Sequence, residues 1–455
     1  MKFFGVFITT LAMFLPILAH AYPTDQFERT QIRRLKWQHD VDTGKRRGRK
    51  TPPGAQWPCD KINLKMLDAA NFHLNSATPK DTKLQKGLVA ILRKSDFRNY
   101  HVALLDITDP QTPRYAAVNE EKAQTPGSVA KILIGAALMQ ELKDRFGDDI
   151  GAREKLLREV SVAADDWAMP NSHEVPVING DKVSIRRVLR GDTFTLWEWL
   201  DHMLSPSSNA SASMVWREVT LMHLLKKDYP PSAYNADLWA RFDRDTLTAA
   251  AYEVIEKPLI NAGIDPENFQ LRLFFTKGAS KYVKPGRTSL TPLALLQWMV
   301  AVEQGRMVDK YSSLELKRML YLTRRRIRYS KNHILKNHAV FFKSGSFYRC
   351  KPEPDFVCQA YQGNVINVLN ALVEVETAPE STDNVQEKSA TIKTDTKDTN
   401  NTSKKNDSKP VTAVKAAKPL VYIITVMSNE LRRSSADEHE RLAGYIHNLI
   451  LKQNM

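Results

Sequence analysis

Residues 125–146 read Thr-Pro-Gly-Ser-Val-Ala-Lys-Ile-Leu-Ile-Gly-Ala-Ala-Leu-Met-Gln-Glu-Leu-Lys-Asp-Arg-Phe, a turn that runs directly into the strongest helix pattern of the chain. Apolar residues recur at helical spacing from Ile132 onward, which predicts a helix over 129–146. The Pro-Gly turn places Ser128 at the start of this helix. Lys131 follows three residues later on the same helical face, so its amine can reach the Ser128 hydroxyl.

The chemistry of this pair depends on a proton acceptor beside the hydroxyl. A serine hydroxyl is a weak nucleophile at its ordinary pKa, and an adjacent base can activate it. The helix start adds a free backbone N–H and a favourable field for a developing negative charge. The same residues also fit an ordinary helix start at which Ser128 is only the N-cap, and the motif alone favours that simpler interpretation.

Two further motifs follow along the chain. Ser207-Ser-Asn209 lies between two predicted helices, where a hydroxyl could relay a proton to a leaving amine and an amide could hold a substrate carbonyl. Lys343-Ser-Gly-Ser346 lies in an apolar strand, where a buried ammonium needs a partner and Gly345 permits close approach of a ligand. The simpler explanations are a polar interhelix turn and an edge-strand lysine with a glycine bulge.

Hydrophobic periodicity around the motifs predicts the fold. The predicted strands are 100–107, 114–118, 338–347, 365–375 and 420–428, and the predicted helices are 83–94, 129–146, 195–204, 211–225, 245–262, 293–304, 314–323 and 436–452. Strands from both ends of the chain must then form one sheet, with the helical middle packed against it. We therefore expect an α+β fold: an antiparallel sheet built from both chain ends, flanked by helices, with a mostly helical second lobe.

In their order along the chain, the three motifs resemble those of the class A β-lactamase and penicillin-binding protein superfamily: Ser-x-x-Lys, Ser-x-Asn and Lys-Thr/Ser-Gly. Two helices add to the resemblance. Residues 195–204 look like the helix that precedes the second motif in class A enzymes, and residues 288–296 look like the start of a later one. The resemblance spans about residues 83–375 and 419–452, and it implies a β-lactamase/transpeptidase-like serine hydrolase domain over 83–455.

The resemblance implies catalytic roles for four residues. Ser128 would attack the carbonyl of a β-lactam or a D-alanyl amide and become acylated. Lys131 would act as the base or as a proton relay. Ser207 would pass a proton to the leaving nitrogen, and Lys343 would hold the proton network and contribute its field. The resemblance implies neither a cofactor nor a metal, and we find no histidine pair with metal-ligand spacing.

The resemblance also implies how substrate is bound. Asn209 would bind the substrate's side-chain amide, and Ser344 and Ser346 would contact its carboxylate. Gly345 between them would let the ligand approach the strand. The backbone N–H groups of Ser128 and Ser346 would form the oxyanion hole.

The chain departs from the class A pattern at the step that frees the acyl group. Class A β-lactamases carry a Glu, in a loop between the second and third motifs, that activates the hydrolytic water. In the matching stretch, 262–278, Phe274-Phe-Thr-Lys277 stands where that Glu is expected, and Glu267 comes too early. The middle residue of the second motif is Ser208 instead of Asp. We therefore expect acylation of Ser128 without fast deacylation.

Longer spacing between the motifs implies insertions near 165–190 and 226–245 that border the cleft. Arg324-Arg-Arg326 and Arg328 lie just before the third motif. One of these arginines could bind a substrate carboxylate bidentately, although a solvated helix end is the simpler interpretation.

Two functions remain in view. The first is a serine hydrolase that forms an acyl-enzyme with β-lactams or peptidoglycan stem peptides, either a β-lactamase or a D-alanyl-D-alanine peptidase. The second is a catalytically weak peptidoglycan- or ligand-binding module that retains the cleft. The complete set of serine, lysine and asparagine side chains favours the enzyme.

Both ends of the domain carry segments outside the predicted core. Residues 1–21 have a basic start, an apolar run and a small-x-small site, which predicts a signal peptide and an exported, periplasmic protein. A secreted protein or an uncleaved signal anchor stays open. Residues 22–82 are predicted to be an extended basic arm. Residues 376–418 are rich in Thr, Lys, Asp, Asn and Ser, which predicts a disordered insert.

The net charge of +15 suggests an anionic partner. Export argues against nucleic acid, so an anionic membrane or cell-wall surface that contacts the basic arm weakly fits better, and a solvated arm is equally open. Export also permits disulfides. Cys350 and Cys358 could close a short loop and leave Cys59 free, but a bridge from Cys59 to either one is also open.

Overall fold

The structure is a computed structural model that describes residues 24–323, 325–377 and 419–455. The predicted signal peptide, 1–21, and residues 378–418 of the predicted insert lie outside the described residues. Arg324 lies outside them as well.

The described strands fall into one large sheet and three small ribbons. They are β1 His101–Asp106, β2 Arg114–Val118, β3 Ser161–Ala163, β4 Glu174–Asn179, β5 Lys182–Arg187, β6 Thr193–Thr195, β7 Phe269–Gln270, β8 Ser289–Leu290, β9 Ala339–Arg349, β10 Ile366–Glu376 and β11 Val421–Asn429. The large sheet has the order β2-β1-β11-β10-β9, with every neighbouring pair antiparallel. Strands from both ends of the chain therefore meet in one sheet, as predicted.

Helices cover the sheet and build a second lobe. They are α1 Thr24–Thr30, α2 Arg33–Asp42, α3 Thr82–Leu92, α4 Lys131–Phe146, α5 Ile150–Glu159, α6 Leu196–Leu204, α7 Asn209–Leu225, α8 Ala236–Ala240, α9 Arg244–Asn261, α10 Pro292–Glu303, α11 Lys310–Tyr321 and α12 Ala436–Gln453. The predicted α+β fold class is confirmed, and the predicted helices and strands match these bounds to within a few residues.

Strand alternation assigns the two faces of the sheet to two apolar cores. On β1, Val102 and Leu104 face the core formed with α3 and α12, whereas Ala103 and Leu105 face the core shared with the helical lobe. The side chains of a strand point alternately to opposite faces, so a strand covered on both sides is apolar throughout. The interface between the sheet and the helical lobe, where β9 passes the start of α4, holds the three motifs.

The prediction of an extended arm over 22–82 is wrong. Residues 24–42 form α1 and α2, and Ile32 and Leu35 are buried in the main core. Two of its basic side chains have acidic partners on α6: Arg34 binds Asp201 at 2.5 Å with both side chains buried, and Arg33 binds the carboxylate of Glu198. The sequence showed the positive charges, but their partners lie more than 160 residues away, on α6.

The structure also shows the disulfide pairing. Cys350 and Cys358 form a disulfide at the end of β9, and Cys59 is free.

Of the two expected insertions, residues 165–190 include the β4–β5 hairpin, which borders the cleft. In the other, 226–245, Tyr234 and Trp239 pack against the helical lobe, away from the cleft. No helix within the described ranges is long and apolar enough to span a membrane.

Candidate active site

The turn before α4 presents Ser128 at the edge of the sheet. Gly127 has φ +57°, and a Cβ there would lie 2.8 Å from the backbone nitrogen of Ser346, so only glycine fits this approach. Ser128 sits in the first turn of a 3-10 helix, Gly127–Ala130, that leads into α4. The first N–H groups of a helix have no acceptor within it, so the Ser128 N–H is available to a ligand.

Lys131 is fully buried at the base of this turn. Its Nζ lies 3.0 Å from Ser128 Oγ, 2.6 Å from the carbonyl oxygen of Ser207 and 2.7 Å from Asn209 Oδ1. Burial, with a contribution from the charge of Lys343, holds the pKa of Lys131 well below its ordinary value. Burial therefore favours the neutral amine over the charged ammonium.

In the neutral form of Lys131, its contacts leave the lone pair of the amine for the serine. A neutral amine has two N–H groups and one lone pair. The carbonyl of Ser207 and the amide oxygen of Asn209 can only accept hydrogen bonds, so they take both N–H groups of Lys131. The remaining lone pair is available to the Ser128 hydroxyl at 3.0 Å. In that form, Lys131 can act as a base toward Ser128.

The turn between α6 and α7 holds Ser207 in a conformation that few residues adopt. Ser207 has φ +64°, in the left-handed region. The turn is held on its far side by Ser208, whose hydroxyl caps α7 by accepting from the backbone of Ser211 at 3.1 Å. Ser207 Oγ accepts a hydrogen bond of 2.7 Å from Lys343 Nζ and lies 3.4 Å from Lys131 Nζ. One hydroxyl thus bridges the two lysines.

Lys343 is the buried lysine of β9. Its Nζ donates to Ser207 Oγ and, at 2.9 Å, to the carbonyl of Ser344. Burial is the larger cause and the positive charge of Arg328 the smaller one, and together they lower the pKa of Lys343 to about 7. Among the described residues no Asp or Glu forms an ion pair with Lys131 or Lys343, so no acidic side chain opposes the lowering of their pKa values.

Arg328 enters the site beside the third motif. Its Nη1 lies 3.3 Å from Ser344 Oγ and its Nη2 lies 3.2 Å from Ser346 Oγ. No carboxylate of the described residues pairs with it. Sequence reasoning favoured a solvated helix end for this arginine cluster. For Arg328 that interpretation is wrong, and the alternative of an anion-binding arginine matches its position.

The strand and the serine turn touch through glycine. A Cβ on Gly345 would lie 2.7 Å from the backbone nitrogen of Ser128 and 2.5 Å from the carbonyl oxygen of Pro126. Asn370 on β10 secures the same turn, because its buried amide donates to the carbonyls of Thr125 and Pro126 at 2.8 and 2.9 Å. Asn370 was not singled out from the sequence, where its signal was an amide between Leu369 and Ala371 in a mostly apolar strand.

An aromatic side chain from the loop after α9 lies against the base. The ring centroid of Phe275 is 4.7 Å from Lys131 Nζ. Its neighbours hold the loop in place. Phe274 stacks on Trp216 with ring centroids 3.8 Å apart, and Thr276 Oγ1 forms a hydrogen bond of 2.8 Å with Ser213 Oγ on α7. Glu267 is 66% exposed and lies 3.5 Å from Arg272, so its carboxylate faces solvent instead of the serine.

A cavity of about 270 Å³ opens from these groups toward solvent. Ser207, Lys343 and Ser344 line its inner end, and Ile185 of the β4–β5 hairpin lines its wall. His173, just before the hairpin, lies close to both lysines. Burial, and then the charges of Lys131 and Lys343, lowers its pKa to about 3, so it is neutral. No group of three metal-ligating side chains occurs in the described part of the chain.

Comparisons with known proteins give a structural likeness only. No family model and no curated protein matches the sequence. The fold is similar to that of PBP-A, with 11% identity and a TM-score of 0.46 over 84% of this chain and 100% of that one. It is also similar to a β-lactamase from Sphaerobacter thermophilus, with 10% identity and a TM-score of 0.46 over 82% of this chain and 97% of that one.

A class A β-lactamase from Bacteroides cellulosilyticus gives 13% identity and a TM-score of 0.47 over 82% of this chain and 97% of that one. These are likenesses of fold alone. In its fold, this chain resembles the class A β-lactamase and penicillin-binding protein superfamily.

Proposed function

We propose that this protein is an exported active-site-serine hydrolase that forms an acyl-enzyme on Ser128 with β-lactams or D-alanyl-D-alanine peptides. The observation that carries the proposal is the contact of 3.0 Å between Ser128 Oγ and a buried Lys131 amine whose two N–H groups are already engaged. A serine that only caps a helix needs no such partner, whereas a nucleophilic serine needs an adjacent base.

Acylation follows from these contacts. Lys131 takes the proton of Ser128 as Oγ attacks the substrate carbonyl. The negative charge that develops on the carbonyl oxygen is stabilised by the backbone N–H groups of Ser128 and Ser346, which Gly127 and Gly345 allow to approach each other. Asn209 presents its amide toward the substrate's acyl side chain.

The leaving nitrogen must receive a proton before its bond to the carbonyl carbon can break. Ser207 Oγ accepts from Lys343 Nζ and lies within reach of Lys131 Nζ, so a proton taken from Ser128 can pass through Ser207 to the nitrogen. Arg328, Ser344 and Ser346 together offer donors to a carboxylate on the leaving group.

Release of the acyl group is the slow step of the proposed cycle. Hydrolysis needs a base that activates water beside the ester. The loop after α9 places the ring of Phe275 against Lys131, and a phenyl ring can accept no proton. We therefore propose a long-lived acyl-enzyme, which is closer to a penicillin-binding peptidase than to a fast β-lactamase.

A fluorescent penicillin tests the proposal. The purified protein is incubated with the probe and separated under denaturing conditions, beside the Ser128→Ala variant, and nitrocefin turnover is followed in parallel. The proposal predicts a stable label on the unmodified protein, no label on the variant and slow turnover. Absence of label from the unmodified protein would favour the catalytically weak binding module. Fast turnover would refute the slow release.

A further inference from the structure

A second, larger cavity lies beside the active site. It has a volume of about 840 Å³ and runs between α2 with its following loop on one side and residues 325–336 on the other. We call it the cationic groove. Its basic lining side chains are Arg49, Lys50, Arg325, Arg326, Lys331 and Lys336. None of the described residues that line it is Asp or Glu, so its surface carries one sign of charge.

Most of this charge is not neutralised by the fold. Arg49, Lys50, Arg325 and Lys336 are exposed and form no ion pair with any described residue. Lys331 does have a partner, Glu440, at 3.0 Å. A row of unpaired cations beside a cleft concentrates anionic ligands there.

The cationic groove continues directly from the active-site cavity. Both cavities are lined by Ile185 and Arg325. The active-site cavity is also lined by Ser207 and Lys343, on the side from which the leaving group departs in the proposed function. A ligand in the cationic groove would therefore be the extension of the leaving group and not of the acyl group.

From this continuity we infer that the cationic groove binds an anionic extension of the substrate's leaving group, so that the protein prefers substrates with several carboxylates beyond the reacting bond. The inference rests on the proposed function, because it takes Ser128 as the acylated group. The neighbouring Arg328 holds the first carboxylate, and the cationic groove holds those that follow.

Two thioesters with the same benzoyl-D-alanyl acyl group test this inference. Their leaving thiols are mercaptoacetyl-triglutamate and mercaptoacetyl-triglutamine, which have equal length and different charge. The C–S bond breaks as the ester to Ser128 forms, so release of thiol reports acylation. Three exposed ion pairs of ordinary strength predict about a tenfold preference in kcat/KM for the triglutamate thioester at low salt. The preference should shrink as salt is added.

Two triple variants locate the effect. Arg49→Gln, Lys50→Gln and Lys336→Gln together remove cations of the cationic groove, and the preference should fall to within twofold. The control, Lys83→Gln, Lys86→Gln and Arg93→Gln, makes the same change in charge on and just after α3. That helix contacts β2, at the sheet edge opposite β9. The control should keep the full preference. Equal rates for the two thioesters, or a preference that survives in the first variant, would overturn the inference.

Two further measurements separate other causes. If neither thioester acylates Ser128, the proposed function fails. Fluorescein-labelled triglutamate thiol then tests the cationic groove alone: binding that the first triple variant abolishes and the control keeps supports an anion site, and equal binding refutes it. Sedimentation with phosphatidylglycerol vesicles completes the test. Vesicle binding that depends on the cationic groove, without any thioester preference, would assign these cations to an anionic surface and overturn the inference.

Discussion

The hydroxyl of Ser207 gives the sharpest test of how the site moves protons. It accepts from Lys343 Nζ at 2.7 Å and lies 3.4 Å from Lys131 Nζ, so Ser207→Ala removes the bridge between the two lysines. A positioned proton donor contributes about 10²–10⁴ in rate. We expect acylation by a penicillin to slow by about 10²–10³-fold, which corresponds to about 3–4 kcal/mol in the barrier.

The leaving group distinguishes proton transfer from a structural effect. A thioester releases a thiolate, which needs no proton, so Ser207→Ala should slow acylation by the thioester less than about tenfold. Stopped-flow labelling with a fluorescent penicillin and thiol release from the thioester measure the two rates. The matched control is Ser211→Ala in the first turn of α7. The Ser211 hydroxyl is buried and has no hydrogen-bond partner among the described residues. Equal losses with penicillin and thioester would refute the proton relay.

Four further perturbations test the account. Acylation by penicillin should decline as the pH rises through about 7, because Lys343 loses its proton there, and Arg328→Gln should move that decline to higher pH by removing a neighbouring positive charge; a pH–rate profile of each protein measures both. Phe275→Glu puts a carboxylate beside the acylated serine, and nitrocefin turnover should rise by roughly tenfold or more, within the range of an added general base. Arg34→Ala leaves a buried carboxylate unpaired and should lower the free energy of unfolding by about 3–5 kcal/mol in urea titrations. Arg46→Ala, whose ion pairs are exposed, should lower it by less than about 1 kcal/mol.

The sheet and most of the helices could be predicted because their signals are local. The continuous apolar run of β1 and the mostly apolar sequence of β10 indicate strands that are buried on both faces, and the apolar stripe from Ile132 onward predicts α4. The order of the three motifs along the chain was also visible in the sequence, and the resemblance in fold was inferred from it. The sequence showed Ser128 and Lys131 three residues apart, and the structure adds that Lys131 is buried with both N–H groups engaged.

Long-range contacts account for what the sequence did not reveal. The segment with Arg33 and Arg34 was predicted to belong to an extended basic arm, because its partners on α6 are distant in sequence. Arg328 lay in a basic cluster whose members looked alike, and only the path of the chain turns it toward Ser344. Asn370 secures the serine turn from a strand whose sequence neighbours are apolar. A residue pattern shows none of these pairings, because each depends on how separate elements pack.

The most direct measurement of the central claim is mass-spectrometric mapping of the protein after incubation with benzylpenicillin. The account predicts a single covalent adduct on the peptide that contains Ser128, persisting for minutes or longer, and its loss in both Ser128→Ala and Lys131→Ala. An unmodified protein, or an adduct on any other residue, would contradict it.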